Sequence, residues 1–248
     1  MASTVVFVHG GFHGGWCWKK VRRILEQRGW TVFTPTLTGV GERAHLASAS
    51  VTLETHIEDV LGVLEAEELS NVVLCGHSAA GTVITGVADR VPERISNLIY
   101  LDAIVPADGQ SSLDVVAENH HDDFLRSGAA EAGESRIAPP LFDAAGFGVH
   151  EPDDAAWVNR RMTRHPLRAF TDKLRLTGGV ERVPQRIFVR CTGFYERFLD
   201  DQAASLDGRP GWRVDRWEDS GHDVMVSEPE RVADLIRHTE IRTLDGAD

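Results

Sequence analysis

Short apolar runs alternate with longer amphipathic stretches along the first hundred residues. The runs are rich in β-branched and aliphatic side chains, which is typical of buried strands, and they predict strands at residues 4–8, 31–34, 71–75 and 95–101. The stretches between them have apolar residues at helical spacing and predict helices at 16–28, 53–69 and 79–90. This alternation predicts an α/β fold with a doubly wound, mostly parallel sheet.

The alternation of strands and helices ends after residue 104. Residues 105–180 carry several prolines and only short amphipathic pieces, such as 154–162, and predict a mostly helical insertion. Strands resume at 186–191 and 212–216, and a last helix follows Ser227, which can cap it. We therefore predict a core built from residues 1–104 and 181–248, with a helical cap at 105–180 inserted over the sheet edge.

Composition narrows the possible partners. The chain has 248 residues and a net charge of −12, with no lysine- or arginine-rich block, so we expect no nucleic-acid or anionic-membrane binding. No apolar run approaches the length of a membrane span, and the first residues lack a signal peptide's basic segment. The three cysteines, Cys17, Cys75 and Cys191, have neither disulfide nor metal spacing. A cytoplasmic location is the default expectation, and the oligomeric state stays open.

Residues 74–81, Leu-Cys-Gly-His-Ser-Ala-Ala-Gly, carry the most specific signal. A serine between a buried strand and a helix resembles the nucleophile elbow of the α/β-hydrolases, where the turn is sharp and strained. Small residues are needed two positions before and after Ser78. Gly76 meets that demand, and Ala80 meets it in part because glycine is usual there. Ser78 is therefore the candidate nucleophile.

A serine nucleophile needs a base and an acid. His222 lies in a loop between the last strand and the last helix, in the chain order serine, acid, histidine that α/β-hydrolases follow. Two residues remain candidates for the acid that partners His222. Asp102 ends the strand at 95–101, as in haloalkane dehalogenases, while Glu196 follows the next strand, the more usual place; we favour Asp102, since a carboxylate at an apolar strand end requires a partner such as histidine.

The first loop, His9-Gly10-Gly11-Phe12-His13-Gly14-Gly15, is glycine-rich but lacks the lysine and the spacing of a phosphate-binding loop. Its glycines let the main chain approach the nucleophile. We predict that the N–H groups of Gly11 and Ala79 form an oxyanion hole, and that His9, His13 and His77 lie near the same edge. His238 is expected on the surface, and the run 120–123, His-His-Asp-Asp, is not expected to bind a metal because adjacent positions on a helix point apart.

Four segments together resemble one branch of this superfamily. They are residues 5–16, 37–43, 76–78 and 221–225, and they are similar to the plant methylesterases and hydroxynitrile lyases and their bacterial esterase-like relatives. The resemblance implies a hydrolase without cofactor or metal, with a small apolar pocket for a small-molecule ester or lactone.

Two other functions stay open. A hydroxynitrile-lyase-like or other carbon–carbon lyase uses the same serine and histidine, but the plant lyases place a lysine and a threonine where Asp223 and Gly10 stand here. A non-catalytic ligand-binding relative is the second alternative. Dehalogenases and epoxide hydrolases are disfavoured because each needs an aspartate at Ser78. The aromatic residues of the cap predict an apolar lid; they are Phe124, Phe142, Phe147, Trp157 and Phe170.

Overall fold

The computed structural model describes residues 3–116 and 137–244, the last five by their main chain only. Six parallel strands form one sheet in the order β2-β1-β3-β4-β7-β8. They are β1 (Thr4–Val8), β2 (Thr31–Phe33), β3 (Val72–His77), β4 (Ile95–Leu101), β7 (Gln185–Cys191) and β8 (Trp212–Trp217). A short antiparallel ribbon pairs β5 (Ile137–Ala138) with β6 (His165–Pro166).

Helices connect the strands and cover the sheet. The longer ones are α1 (Lys19–Gln27), α2 (Leu53–Ala66), α3 (Ala80–Arg90), α5 (Pro152–Asn159), α7 (Arg197–Leu206) and α9 (Pro229–Leu244). Single turns form α4 (Ser112–Val115), α6 (Arg168–Thr171) and α8 (Val224–Ser227). Every residue of β3 is buried, as expected of a parallel strand covered on both faces.

Two apolar clusters lie on opposite faces of the sheet. One is built around Val21, Val226 and Ile236, which bring α1, α8 and α9 onto the sheet. The other is built around Ile57 and Ile84, which bring α2 and α3 onto the opposite face. The sheet is therefore a rigid central layer, and the loops at its edges are free to carry chemistry.

The alternation read from the sequence is confirmed. The strands at 4–8 and 95–101 have the predicted bounds, and the others differ by one or two residues at an end. The stretch 16–28 divides into a 3₁₀ turn, Gly15–Trp18, and α1. The short helix α8 was not predicted. Cys75 and Cys191 lie in β3 and β7, and with Cys17 they are free, buried thiols.

The described part of residues 105–180 consists of short pieces. It contains the turns α4 and α6, the eight-residue α5, and the ribbon of β5 and β6. The ribbon was not predicted in this mostly helical segment. The bounds of the core and the cap stay predictions. Within the described ranges, no helix has both the length and the apolar character to cross a membrane.

The carboxyl ends of β3, β4 and β7 meet at one edge of the sheet. His77 is in register with Leu101, and Leu101 with Val189. The next residues, Ser78 and Asp102, therefore leave neighbouring strands side by side, and each has a positive φ, 55° and 45° respectively. This edge is where open α/β sheets bind ligands.

Gly81 in α3 and Gly62 in α2 together test how closely α3 packs against the main chain that follows β4. A Cβ at Gly81 would lie 1.9 Å from the main-chain oxygen of Ile104, whereas a Cβ at Gly62, exposed on α2, would meet nothing within 4 Å. Gly81→Ala should destabilise the fold by about 1–3 kcal/mol through overpacking. Gly62→Ala should stabilise it by about 0.5–1 kcal/mol. Urea unfolding measures both, and equal effects would contradict the packing described here.

Candidate active site

Ser78 sits on a tight turn between β3 and α3. Its positive φ of 55° is strained for a residue with a side chain. A Cβ on Gly76 would lie 2.9 Å from the side chain of Ile84, and one on Gly81 would overlap the main chain of Ile104. The close approach thus falls on positions 76 and 81, which explains why alanine is accommodated at position 80.

The first loop lies directly against this turn. A Cβ added to Gly10 would be 2.7 Å from the Cβ of Ser78, so only glycine allows this approach. Gly11 and Ala79 both border the cavity in front of Ser78. Within the described residues, their N–H groups donate to no protein acceptor. Two free donors beside a serine are the arrangement that binds an oxyanion.

His222 and Asp102 are joined by a short hydrogen bond. The Nδ1 atom of His222 lies 2.7 Å from Oδ2 of Asp102, and both residues are buried. Because an ionised carboxylate only accepts, the proton of the neutral imidazole is on Nδ1, and Nε2 is left as the acceptor. His222, Asp102 and Ser78 border one cavity.

The second oxygen of Asp102 is also held. Its Oδ1 accepts a hydrogen bond from the N–H of Cys191 at 2.9 Å and one from Nη1 of Arg190 at 3.2 Å. Arg190 is only 1% exposed and also pairs with Asp200 at 2.8 Å. A buried carboxylate is costly unless it is paired and hydrogen-bonded, and these donors meet that requirement.

Glu196, the alternative acid, lies elsewhere in the same cavity. It precedes α7 at the N-cap position and is buried, and it borders the cavity together with Asp102. The carboxylate that contacts Nδ1 of His222 is Asp102. Asp102 therefore remains the proposed acid.

Aromatic rings enclose the His222 imidazole. Phe194 stacks on it with a centroid separation of 4.3 Å, Phe147 stacks at 5.7 Å, and His77 lies tilted at 4.5 Å. The Nε2–H of His77 donates to the carbonyl of His222 at 3.0 Å. Burial holds the pKa of His77 well below its usual value, so this ring is neutral. The His222 ring is thus fixed by apolar contacts as well as by Asp102.

The cavity has an empty volume of about 820 Å³, counting the space that opens to solvent. Its walls are mainly apolar, and its aromatic side chains are Phe12, Phe142, Phe147, Phe170, Phe194 and Phe198. Three aromatic residues predicted for the cap are therefore at the cavity. Trp157 instead packs edge-on against Trp16 at 5.0 Å. Phe124 and the histidine–aspartate run at 120–123 lie outside the described residues.

A second buried pair, His13 and Asp223, lies beside the first. Nε2 of His13 is 2.9 Å from Oδ2 of Asp223, and the two side chains are 1% and 0% exposed. Burial lowers the pKa of His13, but the Asp223 carboxylate more than offsets it, so that the pKa lies above 6.5. Burial likewise raises the pKa of Asp223, and His13 more than offsets it, leaving the pKa below its ordinary value.

The other histidines named in the sequence analysis lie in different places. His13 and His77 border the cavity, whereas His9 is buried behind it and donates from Nδ1 to the carbonyl of Gly10 at 2.9 Å. His238 is exposed on α9, as predicted.

Sequence reasoning missed several residues of this site. Arg190 and Asp223 are charged residues within or beside apolar segments, and that pattern is a usable signal for a buried pair. His165 accepts from the N–H of Phe12 at 3.1 Å, a contact across 153 positions that no local pattern indicates. Phe194 and Phe198 follow β7, in the same segment as Glu196, and no local pattern there indicates a cavity wall.

Comparison with known proteins agrees with this architecture. The model of the alpha/beta hydrolase family matches residues 5–235. A carbendazim hydrolyzing esterase from Nocardioides sp. (strain SG-4G) is 42% identical over 240 residues, which cover 94% of this chain and 98% of that protein. Putative methylesterase 14 of Arabidopsis thaliana is 32% identical over 223 residues, or 84% of this chain and 61% of that protein.

Solved structures share the fold. An extracellular α/β-hydrolase from a Paenibacillus species superposes with a TM-score of 0.81 at 23% identity, covering 96% of this chain and 98% of that one. A methylesterase from Arabidopsis superposes with a TM-score of 0.71 at 23% identity, covering 97% and 100%. The sheet order, the serine turn and the family match lead to one conclusion: the chain belongs to the alpha/beta hydrolase family.

Proposed function

We propose that this protein is a serine-dependent hydrolase of small, largely apolar carboxylic esters or lactones, working through an acyl-enzyme. The observation that carries the proposal is the 2.7 Å bond between His222 and Asp102 in the cavity that Ser78 also borders. Esterases and putative methylesterases among the relatives support ester hydrolysis as the reaction class.

In the first half of the proposed reaction, Oγ of Ser78 attacks the ester carbonyl carbon. Nε2 of His222 takes the hydroxyl proton, and the Asp102 carboxylate stabilises the resulting imidazolium. The carbonyl oxygen becomes an oxyanion, which accepts hydrogen bonds from the N–H groups of Gly11 and Ala79. When the intermediate collapses, the bond to the alcohol oxygen breaks and His222 gives the proton to the leaving alcohol.

In the second half, water repeats these steps. His222 takes a proton from water as the water oxygen attacks the acyl carbon, and the same two N–H groups hold the oxyanion. Collapse breaks the bond to Ser78, whose Oγ recovers its proton from His222. The products are one carboxylic acid and one alcohol.

The walls of the cavity support an apolar substrate. Phe142, Phe147 and Phe194 surround the approach to His222, and burying apolar surface there contributes roughly 25 cal/mol per Å². Aromatic faces favour flat acyl or alcohol groups. Since one relative is a carbendazim hydrolyzing esterase and others are putative methylesterases, we propose neutral methyl esters with aromatic groups as the first substrates to assay.

A lyase reaction on the same residues has less support. Asp223 follows the base directly, and its carboxylate is paired with His13. A negative charge at this point would oppose a departing anion such as cyanide, whereas the plant lyases are expected to have a lysine there. The other alternative is a ligand-binding protein without catalytic activity. An ester hydrolysis assay distinguishes it from an esterase.

Ser78→Ala should reduce ester turnover by several orders of magnitude, because it removes the hydroxyl oxygen that forms the covalent bond to the substrate. Hydrolysis of a short-chain p-nitrophenyl ester measures the rate, and circular dichroism checks the fold. A folded variant that keeps more than a few per cent of the activity would show that Ser78 is not the nucleophile. A wild-type protein that binds but never turns over any ester would favour the binding alternative.

Asp102→Asn and Glu196→Gln separate the two acids, since each change keeps the shape and removes the charge. Losing the true acid leaves His222 in the wrong tautomer and should cost about a thousandfold or more in kcat. We expect that loss for Asp102→Asn and a small change for Glu196→Gln. The reverse ranking would assign the acid to the loop after β7.

A further inference from the structure

The N–H of Gly11 is set by the two peptide groups that flank it. In a trans peptide the C=O and N–H point in opposite directions, so the Gly10 carbonyl fixes where the N–H of Gly11 points. His9 holds that carbonyl through Nδ1 at 2.9 Å, and its Nε2 accepts from the N–H of Leu37 at 3.1 Å. Burial lowers the pKa of His9 to about 3, so this ring stays neutral.

The peptide after Gly11 is held at both ends. Nδ1 of His13 lies 2.7 Å from the Gly11 carbonyl oxygen, and the N–H of Phe12 donates to Nδ1 of His165 at 3.1 Å. Three histidines from two distant parts of the chain thus fix the main chain around one residue. That residue is the candidate oxyanion donor.

His13 differs from the other two histidines in its proton count. Its Nδ1 faces a carbonyl oxygen and its Nε2 faces the Asp223 carboxylate. Both partners are acceptors, so both ring nitrogens must donate, and a neutral imidazole has only one N–H. The pKa of Asp223 is lowered, so its carboxylate is ionised and only accepts; with that carboxylate, the two hydrogen bonds exist together only while His13 is an imidazolium.

We propose that His13 and Asp223 form a clamp of positioning residues that holds Gly11 for oxyanion binding only while His13 carries both protons. The inference rests on the proposed function, since Gly11 matters as an oxyanion donor. Asp223 adjoins His222 in the chain, and its N–H donates to the carbonyl of Phe147 at 3.0 Å. The clamp therefore ties the loop of the oxyanion donor to the loop of the base.

The surroundings of His13 contain no second cation among the described residues that face it. Trp16 stacks on the ring at 5.2 Å and Phe147 packs edge-on at 5.6 Å. Five titratable groups interact with the pair. They come from the first loop, the 3₁₀ turn Gly15–Trp18, β3, β6 and the loop after β8, and they are His9, Cys17, His77, His165 and His222. Burial holds the pKa values of His77 and His165 well below normal, so those rings are neutral.

The protonation of His13 determines whether kcat rises or falls with pH. The pKa of His13 is raised in the folded protein, so the clamp is complete below that value and loses a hydrogen bond as pH rises through it. The pKa of Asp223 is lowered, so acid disrupts the pair only below its ordinary range. We expect kcat to fall on the alkaline side, at a pH above 6.5.

Asp223→Asn tests this directly. An asparagine amide can donate to Nε2 of a neutral His13, while Nδ1–H still donates to Gly11, so both hydrogen bonds survive at alkaline pH. We expect kcat within about fivefold of wild type near pH 7 and no alkaline fall, since shape and hydrogen bonds are kept. Asp223→Ala breaks the pair and should lower kcat by about ten- to a hundredfold with little change in KM, less than the roughly hundred- to thousandfold cost of losing an oxyanion donor.

Asp219→Asn is the matched control. Asp219 is an exposed carboxylate in the same loop region, with a φ of 59° that asparagine tolerates, and its pH profile should match that of wild type. If wild-type kcat is flat to about pH 10, or if Asp223→Asn keeps the wild-type alkaline fall, the clamp is wrong.

A spectroscopic measurement separates this proposal from the proposed function. In the resting enzyme, the amide signals of Gly11 and Phe12 should titrate together with the His13 ring in wild type, and should stay constant over that range in Asp223→Asn. Nuclear magnetic resonance of protein with labelled histidine, glycine and phenylalanine measures these signals without any turnover. Signals that do not follow His13 would overturn the clamp even if Ser78 is the nucleophile, and activity that survives Ser78→Ala would overturn the function even if the signals titrate.

Discussion

The carboxylate of Asp102 is the constraint around which this site is built. It is a charge in the apolar interior, 0% exposed, and a charge there costs several kcal/mol unless hydrogen bonds replace its water. Its donors come from the main chain of Cys191 and the side chains of Arg190 and His222. These hydrogen bonds bring the ends of β4 and β7 and the loop after β8 to one point, next to Ser78, which directly follows β3.

The requirement that a buried charge be paired also explains which of the surrounding histidines are neutral and which is charged. His9, His77 and His165 are buried without a carboxylate at hydrogen-bond distance among the described residues, and burial keeps their pKa values low. His13 alone of these rings has a carboxylate at 2.9 Å, and it alone has a raised pKa. The neutral rings can hold main-chain groups at any assay pH, whereas the charged pair depends on a proton.

Much of this could be predicted from the sequence, because the local signals were strong. Alternating apolar runs and amphipathic stretches predicted the parallel sheet, and glycines around a serine predicted the turn at Ser78. The acid stayed open between Asp102 and Glu196, because both follow strands that end at the same edge and only the fold sets which one reaches His222. Arg190, His165 and Asp223 each contact a distant segment of the chain, and spacing along a chain does not encode such contacts. The ribbon of β5 and β6 has two residues in each strand, too short for a periodic pattern.

We propose that an oxyanion formed at Ser78 is held by Gly11 and Ala79 while His222 stays bonded to Asp102, and the proposed reaction depends on this arrangement. A crystal structure of the protein after reaction with an aryl phosphonate tests it most directly, because the bound phosphonyl group imitates the tetrahedral intermediate. We expect phosphorus bonded to Oγ of Ser78, with the phosphonyl oxygen about 2.7–3.1 Å from both N–H groups. An adduct on another residue, or a phosphonyl oxygen directed away from Gly11 and Ala79, would contradict the account.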